Sequence, residues 1–485
     1  MTSASETDQL DPALRKLMGI LIIGIIAVLL DTTIVNVAIN TLRQDLEVSV
    51  STIQWVNTGY LLALGMVIPL TAWTVARFGA KRMWLFSLTL FLAGSVLSGA
   101  AWDINSLIGF RVLQGIGGGL MFPILQTLLI QAAGAQRVGR LMAVVGMPAV
   151  FVPILGPVVG GLIISNTSWR WIFFINIPLC LVALVMAWRG LEETPGRSRI
   201  QLDILGLMLL SPALAGMLYG LSQVGAEGGF AHASVIAPLA IGLVLLVVFV
   251  VHALRTEEPV VNVRLFRIRS FTGSSVLLFI SGLSLYGVMM LLPLYYQQVG
   301  GHSALKTGLL LVPQGVGSLI SRGPAGRLTD RLGPRPVVLV GMALTALGMA
   351  AYTQAGRDPH FVVLCTSLVI LGAGLGAATV SVMAAAFQGL QPGQIPHASS
   401  ATRIMQQVGG SFGTAVLAVI LQWQLSGHDS DTAGRAAAFG NTFWWALGFA
   451  AASLAPAMLL PHRARQAAQE QSAAPAEATG ESMPK

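Results

Sequence analysis

The stretch MGILIIGIIAVLLDTTIVNVAIN, Met18 to Asn40, decides the reading of this chain. About 20 mostly apolar residues suffice to cross a bilayer as a helix. One carboxylate, Asp31, stands well inside this apolar run. A charge there is costly and usually functional. The cost falls if a cation pairs with the acid or if the acid takes up a proton. Asp31 is therefore a candidate proton carrier, and the alternative is a structural acid anchored by Thr32, Thr33 or Asn36.

Composition supports a polytopic helical membrane protein. Of 485 residues, 54% are apolar and 10% charged, with a mean hydropathy of +0.75. Soluble domains carry about 25% charged residues. The 54 glycines suit close packing of membrane helices. The first apolar run keeps its charged neighbours and is followed by many others, so it reads as a span, not a cleaved signal peptide. A net charge of +8 does not indicate nucleic acid, because the basic residues fall in short loops beside apolar runs. Cys180 and Cys365 lie in apolar stretches without disulfide or metal-ligand spacing, so no metal is expected.

Fourteen spans are predicted. Six lie at 17–39, 53–75, 83–101, 104–130, 139–165 and 171–190, two at 203–224 and 233–253, and six at 271–297, 304–327, 335–355, 360–388, 399–424 and 440–461. The domain organisation is a cytoplasmic segment (1–16), a six-helix bundle (17–190), a linker with two extra spans (191–270), a second six-helix bundle (271–461) and a disordered tail (462–485). Alternate loops are basic: Arg15 and Lys16; Arg77, Lys81 and Arg82; Arg137 and Arg140; Arg189, Arg197 and Arg199; Arg255, Arg264, Arg267 and Arg269; Arg327, Arg331 and Arg335; Arg463 and Arg465. The opposite loops carry Asp45, Glu47, Asp103, Glu227, Asp358, Asp429 and Asp431. Both termini are thus expected in the cytoplasm.

PLTAWTVARFGAKR (Pro69 to Arg82) and GPAGRLTDRLGPRP (Gly323 to Pro336) occupy equivalent places in the two groups of six. Repeated halves are a hallmark of transporters. With LDTTIVNVAI (Leu30 to Ile39), RVLQGIGGG (Arg111 to Gly119), GPVVGG (Gly156 to Gly161) and SWRWIFFINIP (Ser168 to Pro178), the chain resembles the major facilitator superfamily. Within it, the chain is similar to the fourteen-helix drug:proton antiporter branch. The first loop departs from the superfamily pattern at Ala72 and Ala76, whereas Gly326, Asp330, Arg331 and Gly333 keep it in the second.

The resemblance implies roles. Arg111, in the fourth span, is linked to proton coupling. Its depth resembles that of Asp31, which lies about 21 Å from the cytoplasmic end at about 1.5 Å per residue. Arginine cannot deprotonate and needs a partner: Asp31, or else carbonyls and Gln114. Gly156, Pro157, Gly160 and Gly161 are the antiporter motif, expected to seal the contact between halves. Gly326, Asp330, Arg331, Gly333 and Arg335 are expected to form a cytoplasmic gate. A substrate cavity between the halves is expected to be lined by Gln54, Asn57, Tyr60, Gln126, Tyr286, Gln314, Gln406 and Gln407. An apolar cavity with a few amides suits amphipathic, drug-like compounds.

Other side chains read as structural. Arg322 and Arg403 are expected to snorkel at the cytoplasmic face. Trp55, Trp73, Trp84, Trp102, Trp169, Trp171 and Trp188 are expected in the interfacial belt, with Tyr295 and Tyr296 at the outer interface. The expected function is proton-coupled efflux of amphipathic or hydrophobic compounds across the cytoplasmic (inner) membrane by alternating access. The alternative is import of a small solute on the same fold. No enzyme motif and no ATP-binding loop is present, so no cofactor beyond the proton gradient is expected. Expected partners are the bilayer, protons and an amphipathic substrate. A periplasmic adaptor protein is compatible with this reading, and nucleic acid is not.

Overall fold

The computed structural model describes residues 12–133, 141, 143–144, 146–193, 196, 200–227, 229–302, 304–354, 360–427, 432–458 and 460. Residues 1–11, Arg137, Arg140, Arg197, Arg199, Asp358, Asp429, Asp431, Arg463, Arg465 and the rest of the tail lie outside the described residues, as does the Pro157 side chain.

Apolar length makes helices here. The first half comprises α1 (Pro12–Asp45), α2 (Val50–Val67), α3 (Leu70–Phe78), α4 (Ala80–Gly99), α5 (Ile104–Ala133), α6 (Pro148–Asn166), α7 (Trp171–Phe174) and α8 (Asn176–Gly190). The extra pair is α9 (Ile204–Glu227) and α10 (Ala233–Arg255). The second half comprises α11 (Arg269–Gln298), α12 (Ala304–Leu310), α13 (Val312–Leu332), α14 (Pro334–Ala350), α15 (Phe361–Phe387), α16 (Ile395–Ser426) and α17 (Thr432–Ala452). A helical segment thus stands at each expected span. Among the described residues, ten helices are long and apolar enough to cross a membrane, or eleven if α2 and α3 form one span bent by 57°. The bend falls at Pro69, which lacks the amide hydrogen a continuous helix requires.

The ends of these helices follow from local chemistry. Ser49 caps α2, its Oγ accepting from Thr52 N at 3.2 Å. Asp103 caps α5, accepting from Ser106 N at 2.7 Å while Ser106 Oγ accepts from Asp103 N at 3.2 Å. These bonds hold the Asp103 carboxyl below its ordinary range. The stability it contributes is present at neutral pH and lost as pH falls through that lowered value.

The two halves repeat in backbone as well as sequence. α3 ends at Gly79 (φ 87, ψ 150) and α13 at Gly333 (φ 87, ψ 166). The Gly79 and Gly333 amides donate to Val75 O at 2.9 Å and Thr329 O at 3.0 Å. Only glycine adopts this region without strain. Gly333→Ala is expected to lower stability by about 1–3 kcal/mol. A thermal midpoint in detergent unchanged by the substitution would refute that.

Close helix contacts also repeat. A Cβ at Gly94 in α4 would lie 2.6 Å from the Cα and N of Gln114 in α5. In the second half, a Cβ at Gly348 in α14 would lie 2.5 Å from Leu371 N in α15. The extra pair is not merely lipid-facing. Ser211 Oγ of α9 donates to Met66 O of α2 at 2.7 Å, and Tyr219 stacks on Trp55 at 5.6 Å. On its other side α9 packs Leu221 and Val224 with Ala415 of α16. One extra helix therefore stands in a seam between the halves, while α10 exposes Ile241, Val244 and Val247 outward.

Several of the aromatic side chains are packed inside the bundle. Trp84 is fully buried, its ring against Gly24 of α1. Trp169 is also buried, donating to Asp45 Oδ2 at 2.5 Å. Both rings pack against protein instead of standing exposed. Tyr295 and Tyr296 turn inward toward Tyr352, with the Tyr296 and Tyr352 hydroxyls 2.9 Å apart. Each ring gains more by filling the helix bundle than by lying at a headgroup boundary.

Candidate functional site

Asp31 and Arg111 meet. Both are fully buried, and Arg111 Nη1 donates to Asp31 Oδ2 at 2.6 Å. Helices α1 and α5 are brought together around this pair by α4, whose Gly94 admits the backbone of Gln114. Gln114 closes a triangle: its Nε2 donates to Asp31 Oδ1 at 2.8 Å, and its Oε1 accepts from Arg111 Nη1 at 2.7 Å. Asn176, at the start of α8, donates to Asp31 Oδ1 at 3.2 Å and to Ser95 Oγ at 3.0 Å. Ser95 Oγ in turn donates to Phe173 O at 2.8 Å. Two helices, α5 and α8, thus supply polar groups to the acid, and Ser95 of α4 supports Asn176 behind it.

Arg111 is held on its other faces. Its Nε donates to Val56 O at 3.3 Å, and its guanidinium lies over the Tyr60 ring at 4.1 Å. The carbonyl and Gln114 contacts therefore coexist with the ion pair. The threonine anchor is excluded: Thr32 and Thr33 donate to the Leu29 and Leu30 carbonyls, and Asn36 donates to Thr32 O. Among the described residues, no other Asp or Glu lies within a candidate span.

The chemistry of this arrangement is specific. A buried ion pair is stable only with good geometry and satisfied hydrogen bonds. Here the carboxylate accepts from three side chains. Three buried polar atoms remain without a partner among the described residues: Arg111 Nη2, Asn176 Oδ1 and the Tyr60 hydroxyl. They are the groups available to a rearranged bonding pattern if Asp31 changes charge.

The first glycines of the antiporter motif face α1. A Cβ at Gly156 would collide with Thr33 of α1, and one at Gly160 would lie 2.9 Å from Ile34 Cγ1. Gly156 and Gly160 therefore pack α6 on α1 inside the first half, two to six residues past Asp31, while α6 also touches α12 and α13 of the second half. Gly161 has nothing within 4 Å of its Cβ position, and the Pro157 backbone continues the helix. The halves also meet through Thr127 of α5 and Ser399 of α16, at 3.5 Å, and Arg403 over the Phe122 ring, at 4.3 Å.

At the second repeat loop, Gly326 is buried, Asp330 and Arg335 half-buried and Arg331 exposed. Thr329 Oγ1 lies 2.6 Å from Ser381 Oγ, fixing the end of α13 on α15. In the first loop Arg82 finds an acid outside the motif, Glu193 Oε2 at 3.6 Å, both exposed and so weakly coupled.

The expected cavity residues divide. Tyr60 is buried beneath Arg111, so it belongs to the acid cluster and does not line an open cavity. Asn57 donates to Asn36 Oδ1 at 2.6 Å, and Gln54 is exposed. Gln126 is buried with Oε1 unpartnered among the described residues. Tyr286 is half-buried with its ring against Gly410, 2.6 Å from a Cβ placed there. Gln314 is half-buried on α13, as is Gln407 on α16, and Gln406 Oε1 accepts from Arg403 Nη1 at 3.1 Å. Arg322 and Arg403 do not snorkel. Arg322 is 8% exposed, and Arg403 stands eight residues past Ile395, the start of α16.

Sequence reasoning missed Asn176 and Ser95 as neighbours of Asp31. An asparagine within the apolar run FFINIPLCLV was the available signal for the first. Ser95 offered none.

A family model described as Major Facilitator Superfamily matches residues 21–414. The Multidrug resistance protein B homolog of Mycobacterium tuberculosis is 39% identical over 425 residues, covering 87% of this chain and 79% of that protein. The Lincomycin resistance protein LmrB of Listeria monocytogenes is 28% identical over 395 residues, covering 81% and 83%. The solved proton:xylose symporter XylE superposes with a TM-score of 0.63 at 16% identity, covering 93% of this chain and 96% of that one, which speaks to the fold alone.

Proposed function

The chain belongs to the major facilitator superfamily, and on that premise we propose that it is a proton-driven exporter of amphipathic or hydrophobic compounds across the cytoplasmic membrane. The observation that carries the reading is Asp31: fully buried, bonded to Arg111, Gln114 and Asn176, and without another carboxylate inside a candidate span among the described residues. The multidrug and lincomycin resistance proteins it resembles support the substrate side. In this reading all fourteen helical segments cross the membrane and both termini face the cytoplasm, as the placement of basic loops supports.

The proposed cycle needs only the groups described. A proton from outside neutralises Asp31 and weakens its bond to Arg111. Arg111 is then retained by Val56 O, Gln114 and Tyr60, so the cation stays while α1 is released. The halves rock to face inward, substrate binds from the cytoplasm or inner leaflet, and loss of the proton inward restores the pair. Gly156 and Gly160 lock α6 to α1, so movement at Asp31 passes to α6. Asp330, Arg331 and Arg335 hold the cytoplasmic end in one conformation.

Drug accumulation in cells tests this directly. Cells expressing the protein should accumulate less of an exported dye, and an uncoupler should remove the difference. Asp31→Asn, expressed at normal level, should lose about tenfold or more of the export rate. Export by that variant at the wild-type rate would remove Asp31 from coupling. Increased accumulation of a solute by the wild type would favour import.

A further inference from the structure

Two guanidiniums of the second half, Arg322 buried and Arg403 half-buried, lack what Arg111 has. Arg403 of α16 projects at the meeting of the halves, over the Phe122 ring of α5 at 4.3 Å. It stands about 12 Å along α16 at about 1.5 Å per residue, well inside the bundle. Its Nη1 donates to Gln406 Oε1 at 3.1 Å, and its buried Nε has no partner. No carboxylate pairs with it among the described residues. Arg322 of α13, 8% exposed, has Ser318 Oγ at 3.2 Å and likewise no carboxylate among the described residues.

The charge balance of the interior is therefore lopsided. Asp31 is consumed by Arg111 at 2.6 Å. A guanidinium does not deprotonate. A ring face and one amide oxygen offset only part of its desolvation. Arginine's fork matches a carboxylate or another oxyanion bidentately, and at Arg403 the fork is incompletely used. The place is also suitable. Arg403 bridges the halves, whose relative movement is the transport step.

We propose that Arg403 is the anion-binding residue of the transport pathway, and that the compounds carried include amphiphiles bearing a carboxylate or similar oxyanion. The anion completes the guanidinium, while the apolar body lies against Phe122 and its neighbours. Substrates with a fixed positive charge are disfavoured by the same group. This deepens the export reading and rests on it for the word transport, although binding at Arg403 stands independently.

The test uses a matched pair of probes, N-dansyl-11-aminoundecanoic acid and its carboxamide, which differ only in the charge. Purified full-length protein is titrated with each by dansyl fluorescence. Reconstituted proteoliposomes with an imposed proton gradient then report transport of each. The wild type should bind the acid about tenfold tighter than the amide. Arg403→Gln should remove that preference while leaving amide affinity within about twofold, and Arg403→Lys should restore part of it.

Equal affinity of the wild type for acid and amide overturns the inference. So does an Arg403→Gln variant that weakens both alike, which would make the residue structural. Displacement of the acid by phosphatidylglycerol at equal concentration would assign the site to a lipid headgroup and overturn the substrate claim. If the acid binds selectively but neither probe moves under the gradient, the anion site stands and the export reading fails. If the amide is exported and the acid neither binds nor moves, export stands and the anion site fails.

Discussion

Arg111→Gln is expected to abolish proton-driven export and to destabilise the protein by about 3–5 kcal/mol, the usual cost of removing one member of a buried ion pair. The substitution leaves a fully buried Asp31 bonded only to the neutral donors Gln114 and Asn176. It also strips Val56 O of its side-chain donor and Tyr60 of its cation. Thermal unfolding in detergent measures the first effect, and dye export the second. The double variant Asp31→Asn/Arg111→Gln should recover most of the lost stability, because no uncompensated charge remains, yet it should not export. Recovery of stability without transport separates the folding role of the pair from its coupling role. A single variant as stable as the wild type would refute the folding role of the pair. Arg111→Lys should fall between, since an ammonium can meet Asp31 but cannot also reach Val56 O and Gln114 with the same fork.

Gly94→Val should be nearly as damaging, although Gly94 carries no chemistry. A Cβ there lies 2.6 Å from the Cα and N of Gln114 and 2.7 Å from its Cβ. These are backbone atoms and cannot swing aside. The added side chain must push α4 from α5, and overpacking of this kind costs about 1–3 kcal/mol. The displacement falls on the turn that carries Gln114 and Arg111, so transport should drop by more than stability does. About a tenfold or larger loss in export rate is expected, with protein still recoverable from the membrane. Gly109→Val on α5 is the control: nothing lies within 4 Å of its Cβ position, and export should be unchanged. Equal behaviour of the two variants would argue that helix separation at Gln114 is not part of the site.

Much of the site was legible before any coordinates. Asp31 and Arg111 stood out because ionisable groups in apolar runs are rare and expensive. Gln114 was within reach because it lies one helical turn from Arg111. Asn176 was not, since its 145-residue separation from Asp31 is closed only by packing α8 on α1. The close approach of Gly156 and Gly160 to Thr33 and Ile34 of α1 was not legible, because it depends on how α6 is rotated. Trp84 and Trp169 look identical in sequence to the exposed Trp102 and Trp188, yet the first two are buried. Arg403 was misplaced because α16 begins at Ile395, ahead of the apolar stretch that defined the expected span.

The sequence by itself determined what depends on local energetics. Apolar length set the helices, Pro69 the bend after α2, and Gly79 and Gly333 the repeated helix ends. Desolvation marked Asp31 and Arg111 as the pair that must find each other. Only the tertiary structure decided what depends on how helices rotate and approach. It surrounded the pair with Gln114, Asn176 and Tyr60, set α9 in the seam between α2 and α16, turned Gly156 and Gly160 onto α1, and left Arg403 between the halves without a carboxylate partner among the described residues. The physical reason is that a helix's existence follows from its own residues, whereas the face it buries depends on which partner offers the better fit.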